Sequence, residues 1–101
     1  MNPVPSLHSS KWYHVYLLRS LKNGSFYIGY TKDIKKRLKE HNAGLIGYTK
    51  KYTPWILIYY ESFLSLEDAK IREKSLKSFG RAYSQLKLRA SNSINKIEGA
   101  G

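Results

Sequence analysis

The chain has 101 residues, 18 of them Lys or Arg against seven Asp or Glu, and a formal net charge of +11. That length suits a single compact domain with one core, and the charge favours polyanionic partners, nucleic acid first, through long-range attraction and counterion release. The absence of cysteine excludes a disulfide framework, a zinc–cysteine cluster and a thiol nucleophile, and the apolar runs are too short to span a bilayer.

Residues 1–11, MNPVPSLHSSK, carry prolines and serines but no apolar run. They read as a flexible tail rather than a secretory signal, so a cytoplasmic location is expected. Trp12 to Ser20 is rich in aromatic and branched residues and reads as a strand; Asn23-Gly24 is a strong hairpin signal, and Phe26 to Tyr30 resumes the strand pattern. A two-residue Asn-Gly loop would set Lys22 opposite Ser25, Ser20 opposite Tyr27 and Tyr16 opposite Thr31. Tyr16 and Tyr27 would then share one sheet face.

Thr31 or Asp33 can cap a helix running to about Asn42, with Gly44 as its left-handed terminator. At roughly 100° per residue, Ile34, Arg37, Leu38 and His41 fall in one stripe, and Lys35, Lys36, Lys39 and Glu40 lie outside it. Arg37 and His41 are therefore expected to face the body of the protein. Ala43 to Pro54, with two glycines and paired lysines, reads as a mobile basic flap.

Trp55 to Phe63 is a third strand whose nearly continuous apolar run predicts a central position, covered on both faces. Ser65 and Asp68 resemble a capping box opening a second helix to about Phe79, closed by Gly80. Leu66, Ala69, Leu76 and Phe79 form its apolar stripe, and Glu73 lies inside that stripe. Ala82 to Arg89 suggests a short third helix, and residues 90–101 should fray. The expected architecture is α+β: a small three-stranded antiparallel or mixed sheet flanked by helices, in the order β-β-α-β-α, with one domain over 12–89.

The ordered set VYLL, NG, YIG, an Arg four residues before a His on one helix, and a Glu on a later helix closely resembles the GIY-YIG endonuclease superfamily. The likeness spans about Trp12 to Gly80 and is strongest to small single-domain bacterial members related to the nuclease domain of the excision-repair incision subunit. Tyr27-Ile28-Gly29 matches the second tripeptide; the first stands as His14-Val15-Tyr16, keeping only its tyrosine. The resemblance implies a metal-dependent DNA endonuclease acting in repair or processing. Tyr16 and Tyr27 would then lie at the active site, with either able to activate or orient water. Arg37 would stabilise charge on the phosphate, His41 would hydrogen-bond a tyrosine or relay a proton, and Glu73 would hold one Mg²⁺ or Mn²⁺ ion.

Taken singly, each residue also has a plainer reading. Tyr16 and Tyr27 suit strand packing, Arg37 and His41 suit the surface and C-terminus of a basic helix, and Glu73 suits an ion pair with Lys70, Lys77 or Arg37. Lys32, Lys35, Lys36, Lys39, Lys50 and Lys51 are candidate contacts to the backbone of DNA, or of RNA, or else a solubilising surface. Tyr48, Tyr52 and Trp55 are candidates to stack on an unpaired base, although Trp55 also suits the core. The alternative function is a nucleic-acid-binding module with the nuclease fold and little or no catalysis. A monomer without membrane contact is expected, and no protein partner is indicated.

Overall fold

The computed structural model describes residues 11–99; the expected N-terminal tail lies outside them, apart from Lys11. Strands β1 (Tyr13–Ser20) and β2 (Phe26–Thr31) form the hairpin, followed by α1 (Ile34–Asn42), a short 3-10 turn (Lys50–Tyr52) and β3 (Trp55–Phe63). Helices α2 (Leu66–Ser78), α3 (Gly80–Arg89) and α4 (Ser91–Gly99) complete the chain. The chain expected to fray after residue 89 instead turns at buried Ala90 and continues as α4, which packs on α3 and β3. Among the described residues no helix is long and apolar enough to cross a membrane.

The sheet is antiparallel with order β2-β1-β3, so β1 is central and β3, expected there, is an edge strand. Its apolar run reflects cover on both faces rather than a neighbour on both sides. Trp55 and Leu57 pack on one face with Tyr16 and Leu18, while Ile58 and Tyr59 pack on the other. A bulge makes this possible: Leu17 pairs with Tyr59 and Leu18 with Leu57, leaving Ile58 as the extra residue.

The hairpin register also differs from expectation. Leu18 opposes Tyr27 and Tyr16 opposes Gly29, because the loop spans residues 21–24 rather than Asn23-Gly24 alone. A two-residue type I′ turn needs positive φ at both central residues, and here only Gly24 has it, at φ +77°. The Ser20 hydroxyl organises the wider loop by accepting the Lys22 and Asn23 amides at 3.1 Å and donating to the Tyr52 carbonyl at 2.6 Å. The slip is two residues, an even number, so Tyr16 and Tyr27 still share a face.

Two packed layers result. On one face Val15, Leu17 and Ile28 meet Ala69 and Leu76 of α2 and Leu86 of α3; on the other Tyr16, Leu18 and Trp55 pack with Leu38 of α1. Leu17 and Leu18 are fully buried, each contributing about 1.5–3 kcal/mol. Phe79, expected in the α2 stripe, is 64% exposed, because the helix ends at Ser78 and the backbone turns to extended geometry at Phe79.

Candidate active site

Tyr16 lies in the centre of β1, 3% exposed, on the face covered by α1. Gly29 faces it across the ladder. A methyl group at Gly29 would stand 2.5 Å from the Tyr16 hydroxyl, so the glycine of the Tyr-Ile-Gly tripeptide is the space in which the phenol rests. Tyr27, half-buried, meets the Tyr16 ring edge-on with centroids 6.4 Å apart.

Helix α1 delivers the next groups. The Asp33 carboxylate caps it, accepting the Lys36 amide at 3.0 Å, an interaction worth about 0.5–2 kcal/mol. Gly44, at φ +75°, closes it by donating its N–H to the His41 carbonyl at 3.1 Å. One turn separates Arg37 from His41, and both reach the same phenol. His41 Nε2 is 2.9 Å from the Tyr16 hydroxyl, and the Arg37 guanidinium, paired with Glu40 at 3.4 Å, acts on the same phenol through its charge.

The protonation of this chain follows from its far end. Thr49 is fully buried; its hydroxyl donates to the Ile46 carbonyl at 3.3 Å and lies 2.8 Å from His41 Nδ1. With its own proton committed to Ile46, Thr49 accepts from His41 Nδ1–H, and His41 Nε2 is left to accept the Tyr16 O–H. Burial first, then the Arg37 charge, holds the His41 imidazole down at about 4. Tyr16 is pushed up to about 12, chiefly by burial; Tyr27 and Glu73 add to the rise and Arg37 opposes it. Burial therefore outweighs the guanidinium, and the resting pair is a neutral phenol on a neutral imidazole.

Glu73 arrives from the other layer. Arg72 is bound by Glu61 of β3, whose other oxygen accepts the Tyr59 hydroxyl at 2.7 Å. Ala69 and Leu76 fix the buried face of α2, and Glu73 follows Arg72 about 100° further round the helix. Glu73 is 19% exposed and its carboxylate pairs with Lys77 at 3.4 Å. Lys77 in turn stands over the Tyr27 ring at 5.5 Å.

Tyr16, Tyr27 and His41 are thus in contact with Arg37 beside them, and Glu73 joins them through Lys77 over the Tyr27 ring and through its charge on Tyr16. The six lysines are not part of that cluster: Lys32, Lys35, Lys36, Lys39, Lys50 and Lys51 are all exposed, on α1 and the loops. The segment expected to be a free flap is fastened at its base and middle. Asn42 exchanges hydrogen bonds with the Trp55 backbone at 2.6 and 3.0 Å, and the Trp55 indole donates to the Thr49 carbonyl at 2.9 Å. Of the three partners expected for Glu73, the structure selects Lys77, one helical turn on; Thr49 escapes the sequence, since a threonine in a glycine-containing loop carries no distinguishing pattern.

A family model described as the GIY-YIG catalytic domain matches residues 12–87. The chain belongs to the GIY-YIG family. A UPF0213 protein of Halobacterium salinarum is 42% identical over 71 residues, covering 69% of this chain and 91% of that protein. A UPF0213 protein of Haloquadratum walsbyi is 35% identical over 85 residues, 83% of this chain and 96% of its own length. The solution NMR structure of a UPF0213 protein from Bacillus halodurans is 33% identical, with a TM-score of 0.49 over 77% of this chain and 83% of that one. Within the family pattern this chain keeps the second tripeptide whole and the tyrosine of the first.

Proposed function

We propose that this GIY-YIG domain is a divalent-metal-dependent endonuclease that hydrolyses phosphodiester bonds in DNA, in repair or processing. One observation carries the reading: the Tyr16 hydroxyl is hydrogen-bonded to His41 and lies within reach of the charges of Arg37 and Glu73. A phenol so held can relay a proton beside a guanidinium suited to phosphate.

In hydrolysis a water oxygen bonds to phosphorus, the bridging P–O bond breaks, and the departing oxygen takes a proton. In this reading Tyr27 orients the water and Tyr16 accepts its proton while passing its own to His41 Nε2. The negative charge of the arriving phosphate raises the low basicity of His41. Solvent protonates the departing oxygen and takes the proton back from His41, closing the balance. Arg37 stabilises the charge that develops on the phosphate oxygens.

Among the described residues no group of three or more His, Asp or Glu side chains converges as a metal site. Glu73 nevertheless fits a single hard cation: its oxygens are partly exposed beside Lys77, and Mg²⁺ is commonly held by one or two carboxylates with waters and substrate phosphate. Such an ion, Mg²⁺ or Mn²⁺, would supply positive charge to the scissile phosphate and the departing oxygen. Lys77 neutralises the carboxylate otherwise.

The test is nicking of flapped, branched and single-stranded DNA with Mg²⁺ or Mn²⁺ by the wild type, Arg37→Ala and Glu73→Ala. Both variants should lose activity. Equal trace cleavage by all three proteins would falsify the assignment, and DNA binding without cleavage by the wild type would favour the binding-module alternative.

A further inference from the structure

A cavity of about 470 Å³ opens at the free edge of β2, beside the phenols. Phe26 and Tyr27 are consecutive in the strand and point to opposite faces, so the cavity wraps the strand edge. Tyr48 stands by Tyr27, centroids 6.0 Å apart and planes 30° from parallel; Tyr83 meets Phe26 edge-on at 6.5 Å; Leu76 supplies apolar lining. One cation, Lys77, lines the cavity, and a second, Lys87, lies against two of its lining rings. Lys77 covers Tyr27 at 5.5 Å, and Lys87 lies 4.5 Å from the Tyr83 ring and 5.9 Å from Phe26.

The proposed catalytic chemistry uses only part of this construction. Tyr48 is 69% exposed, too open to serve as core, yet it stands near-parallel to a phenol of the site. The volume lies within the roughly 300–1,000 Å³ of small-molecule pockets. Flat rings with ammonium groups over them suit a planar heterocycle carried on a polyanionic strand. A base stacked inside intact duplex cannot enter such a cavity, whereas an unpaired one can.

We infer that the cavity takes an unpaired nucleobase next to the scissile phosphate, stacked on Tyr48 with its flanking phosphates held by Lys77 and Lys87. The substrate class is then DNA with an unstacked nucleotide at the cut, such as a bulge, flap or single strand. This deepens the nuclease reading and rests on it.

The experiment uses the full chain carrying Glu73→Gln, so that DNA stays uncut, and a duplex with a single 2-aminopurine bulge. Binding should quench the 2-aminopurine fluorescence. Replacing the bulged base by an abasic nucleotide should weaken binding about tenfold, the scale of one base–aromatic stack. Adding Tyr48→Ala should remove both the quench and that tenfold difference, and Tyr48→Trp should restore them. Lys87→Ala should lower the salt dependence of binding by about one charge. Equal affinity for the bulged and abasic DNAs, with no quench, overturns the base site; Glu73-dependent nicking of intact duplex by the unmodified chain would then leave the nuclease reading standing alone. Failure to bind any DNA at low salt ends both.

Discussion

The two faces of the sheet divide the work of β1 between alternate residues. Val15 and Leu17 point into a layer of Ile28, Ala69, Leu76 and Leu86, whereas Tyr16 points to the face that holds all the fully buried polar residues identified among those described: Ser20, His41 and Thr49. Each of those has its hydrogen bonds, as burial demands, but a satisfied polar network contributes little net stability compared with packed hydrocarbon. One face is packed hydrocarbon alone, and the other joins the packing of Leu18, Trp55 and Leu38 to a polar network that keeps a phenol, an imidazole and a guanidinium in one arrangement.

The largest expected effect is on the chemistry of the polar face. Arg37→Ala should reduce nicking by about 10²–10³-fold, the scale of losing one preorganised donor. Its side chain is 40% exposed, so the urea midpoint should correspond to a change within about 0.5 kcal/mol; a large loss of stability with activity intact would reverse the assignment of faces. Leu17→Ala on the other face should cost about 2–5 kcal/mol in urea unfolding, while the molecules that remain folded retain their specific activity.

Gly29→Ala sharpens the boundary between the two roles. Its methyl would meet the Tyr16 hydroxyl and ring, and overpacking of this kind costs about 1–3 kcal/mol. Because the atom displaced is the phenol, activity should fall further than stability; a variant with full activity would show that the resting position of Tyr16 is not needed.

The smallest effect is in pH dependence. His41 is held at about 4 when folded, against 6.5 when unfolded, so the unfolded chain binds its proton first as pH falls. The stability His41 contributes is complete above about 6.5 and is lost on descent toward 4. Tyr16, raised from 10 to about 12, keeps its contribution below about 10 and loses it on ascent toward 12. Denaturation at pH 7 and pH 5 should show a smaller acid loss in His41→Gln than in wild type. Equal losses would mean that His41 is not buried in its neutral form.

Much of this was legible in the chain. The helix stripe that turns Arg37 and His41 inward follows from their four-residue spacing, and the Asp33 and Ser65 caps are local chemistry with local outcomes. The shared face of Tyr16 and Tyr27 survived a wrong register only because an error of two preserves the alternation of strand side chains. By contrast, the apolar run of β3 reports cover rather than neighbours, and the loop holding Thr49 looks free until Asn42 and Trp55 are seen to fasten it.

Helix periodicity, strand alternation, caps and the ordered motif that marks the family all depend on near neighbours and are readable along the chain. Features that depend on contacts between distant segments are settled by folding alone. Among these are the edge position of β3, the Thr49 hydroxyl that sets the His41 tautomer, and the aromatic cavity beside Tyr27. The physical reason is range. Periodicity and capping act within a few residues along the backbone, whereas burial, which raises the Tyr16 phenol and lowers His41, exists only once separate segments have excluded water between them.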